Sequence, residues 1–291
     1  LAPEMAGAVR ARLVGLWKEV TTSLRSEARR EVLAVNWPLA AMFLLLGGSL
    51  LGRGRAWLAM AAEGLRAPGG RGRLGGRHAG NVLRLGLSLG NALVPLLGLA
   101  ALAWAAEATG LLGARAMALV DAVPVGGACV IGAGWLAEQF FGPGRVNPPP
   151  FDFAAETARA ARRRMRQAGW ILAAEVMVRA FLAAGEIAPE AKAGLLLPLN
   201  LALAVVLFRF GRCLARARPP ARSGPEDELL AFRRRIVTVL GRVLMAVAVA
   251  APALSLLGFH RAGGALLLPS VTTLALLGVL VVLQWLVTDL Y

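Results

Sequence analysis

Two side chains carry the sharpest chemical signal in this sequence. Glu175 and Arg179 stand four residues apart in a run, Gln167 to Gly185, that is otherwise apolar. At helical spacing they share a face. An ionisable group in such a run is expensive unless it is paired, and it points to function by default. Three readings fit: a mutually neutralising pair that fixes helix packing, a step in an ion or proton path, or a contact with a lipid headgroup. Asn91, Asp121 and Asn200 are further polar points in or beside apolar runs. Each is expected to bond to a neighbouring helix or to cap a helix end.

Other chemistry is thinly represented. His78 lies in a Gly/Arg-rich stretch and His260 at a turn, so the two histidines do not form a metal-binding or proton-relaying pair. There is no HExxH, no GxSxG and no phosphate-cradling glycine loop with lysine. No catalytic, cofactor-binding or metal-ligating residue is assigned, no cofactor is implied, and the chain does not read as an enzyme. Cys129 and Cys213 sit in separate apolar segments and read as small packing residues. Glu226, Asp227 and Glu228 read as the acidic first turn of a helix.

The elements that must position these residues are long and apolar. Hydrophobic residues make up 57% of the 291, and they come in runs rather than at amphipathic spacing. A bilayer core about 30 Å thick needs roughly 20 helical residues to cross it. The fold class expected is therefore all-α: a polytopic helical membrane bundle of about seven transmembrane helices. The spans fall near 32–52, 82–106, 116–140, 167–185, 193–213, 236–257 and 264–288. Together they form a helical transmembrane domain over 32–291. Before it, residues 1–31 read as an amphipathic surface helix, because Val9, Leu13, Leu16, Val20 and Leu24 recur every three to four residues. The chain opens on Leu1, which implies that a leader or a longer N-terminal region precedes it.

Charge orders these spans. The net charge is +15, which raises nucleic acid as a partner, but the arginines form no single stripe and nucleic acid is not expected. They fall between spans. Arg53, Arg55, Arg66, Arg71, Arg73 and Arg77 follow span 1. Arg145, Arg159, Arg162, Arg163, Arg164 and Arg166 follow span 3. Arg212, Arg216, Arg218, Arg222, Arg233, Arg234 and Arg235 follow span 5. The alternate loops carry one basic residue each: Arg115, Lys192 and Arg261. Seven spans with three basic loops inside place the N-terminus outside and the C-terminus in the cytoplasm. Trp37, Trp104, Trp170, Trp285 and Tyr291 lie near span ends, where aromatic rings anchor at headgroups. The basic loops, with Arg162, Arg163, Arg164, Arg233, Arg234 and Arg235 as their densest parts, are expected to face lipid. Each basic residue near anionic headgroups contributes about 1 kcal/mol. The partners expected are thus membrane lipids, anionic on the cytoplasmic side.

Small residues and prolines shape the spans. Gly126, Gly127, Ala128, Gly132, Ala133 and Gly134 make span 3 rich in small side chains. They serve close helix packing or, alternatively, a pore-lining or oligomer-forming face. Pro95, Pro124, Pro198, Pro252 and Pro269 fall inside spans and imply kinks. Between spans, Gly69 to Gly80, Pro148 to Pro150 and Pro219 to Pro225 are breaks, and Phe151 to Arg166 reads as a short amphipathic helix feeding span 4.

Several phrases together resemble the multi-helix region of long-form bacterial mechanosensitive channels, members of the small-conductance mechanosensitive channel superfamily. They are Leu1 to Pro3 before an amphipathic helix, the proline-rich phrase and helix from Val146 to Arg166, and Leu257 to Ala262 leading into a span that ends Trp285 to Tyr291. The resemblance covers most of the chain loosely. It implies a lipid-facing, tension-sensing paddle in a homo-oligomer, a heptamer in that family, in the bacterial inner membrane. That family's Gly/Ala-ridged pore helix and β-rich vestibule have no counterpart here, so the resemblance implies a pore beyond Tyr291 and carries over no pore residue. Two other readings are a secondary transporter using Glu175, Arg179 and Asp121, and a membrane scaffold subunit without transport.

Overall fold

The computed structural model describes residues 7, 10–11, 14–15, 18, 21–22, 27–66, 77–142, 154–183, 189–216, 227–257 and 260–290. Every regular element among them is an α-helix. The long helices are α1 (Glu27–Arg66), α2 (Arg77–Ala108), α3 (Ala114–Phe141), α4 (Ala155–Ala183), α5 (Pro189–Ala215), α6 (Asp227–Leu256) and α7 (His260–Leu290). The described residues between 7 and 22 are also helical. The apolar series Val9 to Leu24, the break at Gly69 to Gly80 up to residue 76, and the breaks at Pro148 to Pro150 and Pro219 to Pro225 lie outside the described residues; residues 77–80, expected in the first break, are the first turn of α2.

Six helices contain segments long and apolar enough to cross a membrane: Glu31–Gly54, Gly86–Ala108, Ala114–Phe141, Gly194–Ala215, Arg235–Ser255 and Leu266–Gln284. They mark the chain as a multi-pass membrane protein. With no water to bond to in the bilayer core, a spanning backbone must satisfy its own polar groups, and an uninterrupted helix does so. The seventh expected span, 167–185, falls in α4. That helix does not meet the same standard of apolarity, because Arg159, Arg162, Arg163, Arg164 and Arg166 share it with Glu175 and Arg179. The short amphipathic helix expected before span 4 is not separate either: α4 runs unbroken from Ala155.

Prolines sit inside six helices, at Pro38, Pro95, Pro124, Pro198, Pro252 and Pro269. Each removes one backbone donor, a loss tolerated where neighbouring helices support the backbone. The charged helix α4 contains none. The turn from α2 to α3 is capped by Gly110, whose φ of 61° is the left-handed value that ends a helix. Its N–H donates to the Glu107 carbonyl at 3.0 Å.

The chain divides into two compact units. One comprises Leu1–Pro68, Gly90–Ala128 and Ala173–Leu196; the other comprises Gly69–Leu89, Cys129–Leu172 and Leu197–Tyr291. In the first, α1 and α2 meet backbone to backbone. A Cβ added to Gly47 would lie 2.8 Å from the Gly98 carbonyl oxygen, and one added to Gly98 would lie 3.2 Å from the Gly47 oxygen. Lipid tails are as apolar as leucine, so close dispersion contact of this kind, rather than hydrophobic burial, holds membrane helices together. Phe43 and Trp104 tilt against each other on the same pair, ring centroids 5.7 Å apart.

The second unit repeats the device between α5 and α6. Cβ atoms added to Gly211 and Gly241 would lie 2.6 and 2.7 Å from each other's carbonyl oxygens. Around them Leu203, Leu207, Phe210, Leu214, Leu244, Ala251 and Leu267 form the core. Phe141 meets Phe210 edge to face at 6.1 Å. Ala158 and Ala161 are the buried side chains by which α4 enters this core. Outside the core the spans are open: only 11% of the apolar segments of α1 and α7 is buried, and residues such as Val35, Leu45, Leu276 and Leu280 stand exposed.

Candidate functional site

α4 gathers most of the functional side chains. Within the first unit, Glu175 is 2% exposed, whereas the Arg179 side chain is 46% exposed. Arg179 donates from Nε at 3.1 Å and from Nη2 at 2.5 Å, both to Glu175 Oε1. Oε2 is buried and has no hydrogen-bond partner. The carboxylate sits where α4 meets α3. A Cβ on Gly126 would touch Met177 and Ala173, at 3.6 and 3.7 Å, and these residues flank Glu175 by two positions on either side. These are ordinary van der Waals distances, so α3 packs directly against the stretch of α4 that bears the carboxylate. The structure thus brings together the two residues singled out by their spacing, and it makes the pair asymmetric: one oxygen doubly bonded, one unpaired.

In the second unit, Glu138 near the end of α3 receives two arginines from α4. Arg162 Nη1 donates to Oε2 at 3.3 Å, and Arg166 Nη2 donates to Oε1. Arg164 donates to Gln167 Oε1 at 2.9 Å. Arg163 is exposed. The four arginines that read as one lipid-facing loop are thus sorted by helix face. Arg162 is turned toward the protein at 24% side-chain exposure, while Arg163 is turned away from it. Arg235 is exposed; the side chains of Arg233 and Arg234 lie outside the described residues.

The polar residues expected to bond between helices do not do so. Asn91 and Asp121 are exposed, and Asn200 Oδ1 is buried without a partner. Ser88 takes that role instead. Its Oγ accepts from Trp135 Nε1 at 3.1 Å and from Gln139 Nε2, binding α2 to α3. The signal for it was the i, i+4 spacing of Trp135 and Gln139 beside Glu138, a polar end to an apolar span.

The small residues of α3 divide as well. Gly126 and Gly127 face Ala173 and Leu99, and the Ala133 methyl meets Gly169 of α4. Gly132 and Gly134 face open space. Close packing accounts for the first group. Cys129 and Cys213 are half-buried. Among the described residues, no three His, Cys, Asp or Glu side chains gather as a metal site would require.

The fold and these sites define a class, the multi-pass helical membrane proteins. No protein-family model, no curated protein and no solved structure matches the chain.

Proposed function

We propose that this chain is the membrane-embedded, tension-sensing helix bundle of a mechanosensitive ion channel, with the pore formed by other polypeptide. It works as a homo-oligomer in the bacterial inner membrane. The observation that carries the reading is the openness of the spans. Only 11% of the residues in the apolar segments of α1 and α7 are buried, and side chains such as Val35, Leu45, Leu276 and Leu280 stand exposed, a surface suited to lipid. A bundle that lipid penetrates responds to bilayer thinning because its helices gain and lose lipid contacts as the membrane area grows.

On this reading all seven helices cross, N-terminus outside and C-terminus in the cytoplasm. The support is the charge pattern. If α4 did not cross, the arginines from Arg209 to Arg235 would lie on the side of the membrane opposite those from Arg53 to Arg77, against the bias that sets membrane topology. Gln167 to Ala183 rises about 25 Å as a helix, close to one bilayer core. Suction on patches of the reconstituted full-length polypeptide tests the channel reading. Openings below lytic tension are expected, and silence up to lysis would refute it.

A secondary transporter is the second reading, favoured by one observation: the buried, unpaired Glu175 Oε2. It requires substrate uptake into proteoliposomes without tension, lost in Glu175→Gln.

A further inference from the structure

α4 carries one exposed face of which only Arg166 is engaged by Glu138. Arg159, Arg163, Arg166 and Trp170 are all exposed. Their spacing of four, three and four residues places them in one line along the helix. Trp170, at 66% exposure, ends the line at its apolar end. The three arginines occupy the end that the charge pattern assigns to the cytoplasm. Arg166 is anchored by Glu138, together with Arg162 one turn earlier. Arg159 donates Nε only to its own helix, at the Ala155 carbonyl. Arg163 has no partner among the described residues.

This arrangement is more than topology requires. The charge rule needs basic residues on one side of the membrane and is indifferent to the helix face that bears them. Here the faces are sorted: Arg162 is spent on Glu138 and Arg164 on Gln167, while Arg159, bonded through Nε to the Ala155 carbonyl of its own helix, and Arg163 stand exposed on the face of the indole. A guanidinium fork matches the paired oxygens of a phosphodiester. An indole beside it sits at headgroup depth with its ring against the upper acyl chain.

We propose that this face of α4 is a binding site for an anionic phospholipid of the inner leaflet. Arg159 and Arg163 hold the headgroup, Arg166 is fixed beside it by Glu138, and Trp170 packs on the glycerol and upper chain. The inference needs α4 to cross the membrane. It does not need the chain to be a channel, so a failed tension recording leaves it standing, and a failed lipid titration leaves the channel reading standing.

The test is a titration of the full-length polypeptide in non-ionic detergent with phosphatidylglycerol and, separately, phosphatidylcholine, with bound lipid counted by native mass spectrometry. Tighter binding of phosphatidylglycerol is expected. R159Q/R163Q should weaken it about twentyfold to thirtyfold, since each basic residue near an anionic headgroup contributes about fivefold. R53Q/R212Q, which removes the same charge from other helices, should weaken it less than threefold, and R159K/R163K should retain most of it. Trp170→Ala leaves charge unchanged and should also lower the affinity, which a plain count of charges does not foresee. Equal losses in the two glutamine pairs, no loss in R159Q/R163Q, or displacement of the lipid by excess inorganic phosphate would overturn the proposal.

Discussion

Both nitrogens that Arg179 directs at Glu175 land on the same oxygen, Oε1, and leave Oε2 buried and unpaired. The pair is also uneven in depth, Glu175 shielded by protein and Arg179 half open. An arginine so placed can extend toward solvent or a headgroup. A carboxylate so placed has only its partner.

That asymmetry has an energetic consequence. Removing Arg179 strands a buried charge, which costs about 3 kcal/mol or more. Removing the charge of Glu175 strands only a half-exposed guanidinium, which costs about 1 kcal/mol or less. R179Q is therefore expected to melt well below E175Q, and the double variant E175Q/R179Q to recover most of the loss. Thermal unfolding of the detergent-solubilised protein, followed by size-exclusion, measures the order. Equal losses in the two single variants would show that Glu175 is not sheltered as described.

The glycine contacts lead to a second prediction. At Gly211 and Gly241 the atom that blocks a side chain is a backbone oxygen of the facing helix, which cannot rotate away. G211A and G241A should each destabilise by about 1–3 kcal/mol, the usual cost of overpacking. G132A and G134A meet open space and should be neutral or stabilising, by up to about 1 kcal/mol from helix propensity. The same melting assay separates the two pairs.

These contacts also show how far the sequence could be read. Apolar runs located six helices long and apolar enough to cross a membrane, because the length of such a run is set by the thickness of the bilayer. The spacing of Glu175 and Arg179 disclosed their pairing, because i, i+4 neighbours share a helix face. What could not be read was which side chain meets which across helices. Asn200 is expected to bond a neighbouring helix or cap a helix end, and its Oδ1 is buried without a partner among the described residues, whereas the unremarked Ser88 receives two bonds. Crossing angle and helix rotation decide such matters, and long apolar runs carry little periodicity from which to infer rotation. The sorting of the α4 arginines was hidden for the same reason until Glu138 was placed.

The Glu138 cluster should behave as an exposed ion network. Its side chains are 24%, 41% and 54% exposed, so E138Q should cost about 1 kcal/mol or less in low salt. The difference from wild type should shrink at about 1 M salt, where screening acts within about 3 Å. Melting at the two ionic strengths checks this. A loss that persists in high salt would mean that Glu138 holds α3 and α4 by a bond sheltered from solvent.

The pairing of Glu175 with Arg179 within the bilayer, the basic face at its inner surface and the lipid-coupled bundle all require α4 to cross the membrane. Cysteine accessibility tests this most directly. In a background in which Cys129 and Cys213 are replaced by serine, single cysteines at Glu156, Lys192 and Ser223 are treated in intact cells with a thiol reagent that cannot cross the inner membrane. The account predicts that K192C is modified at once, and E156C and S223C only after the membrane is opened. Modification of S223C in intact cells, with K192C protected, would show that α4 does not cross and would contradict the account.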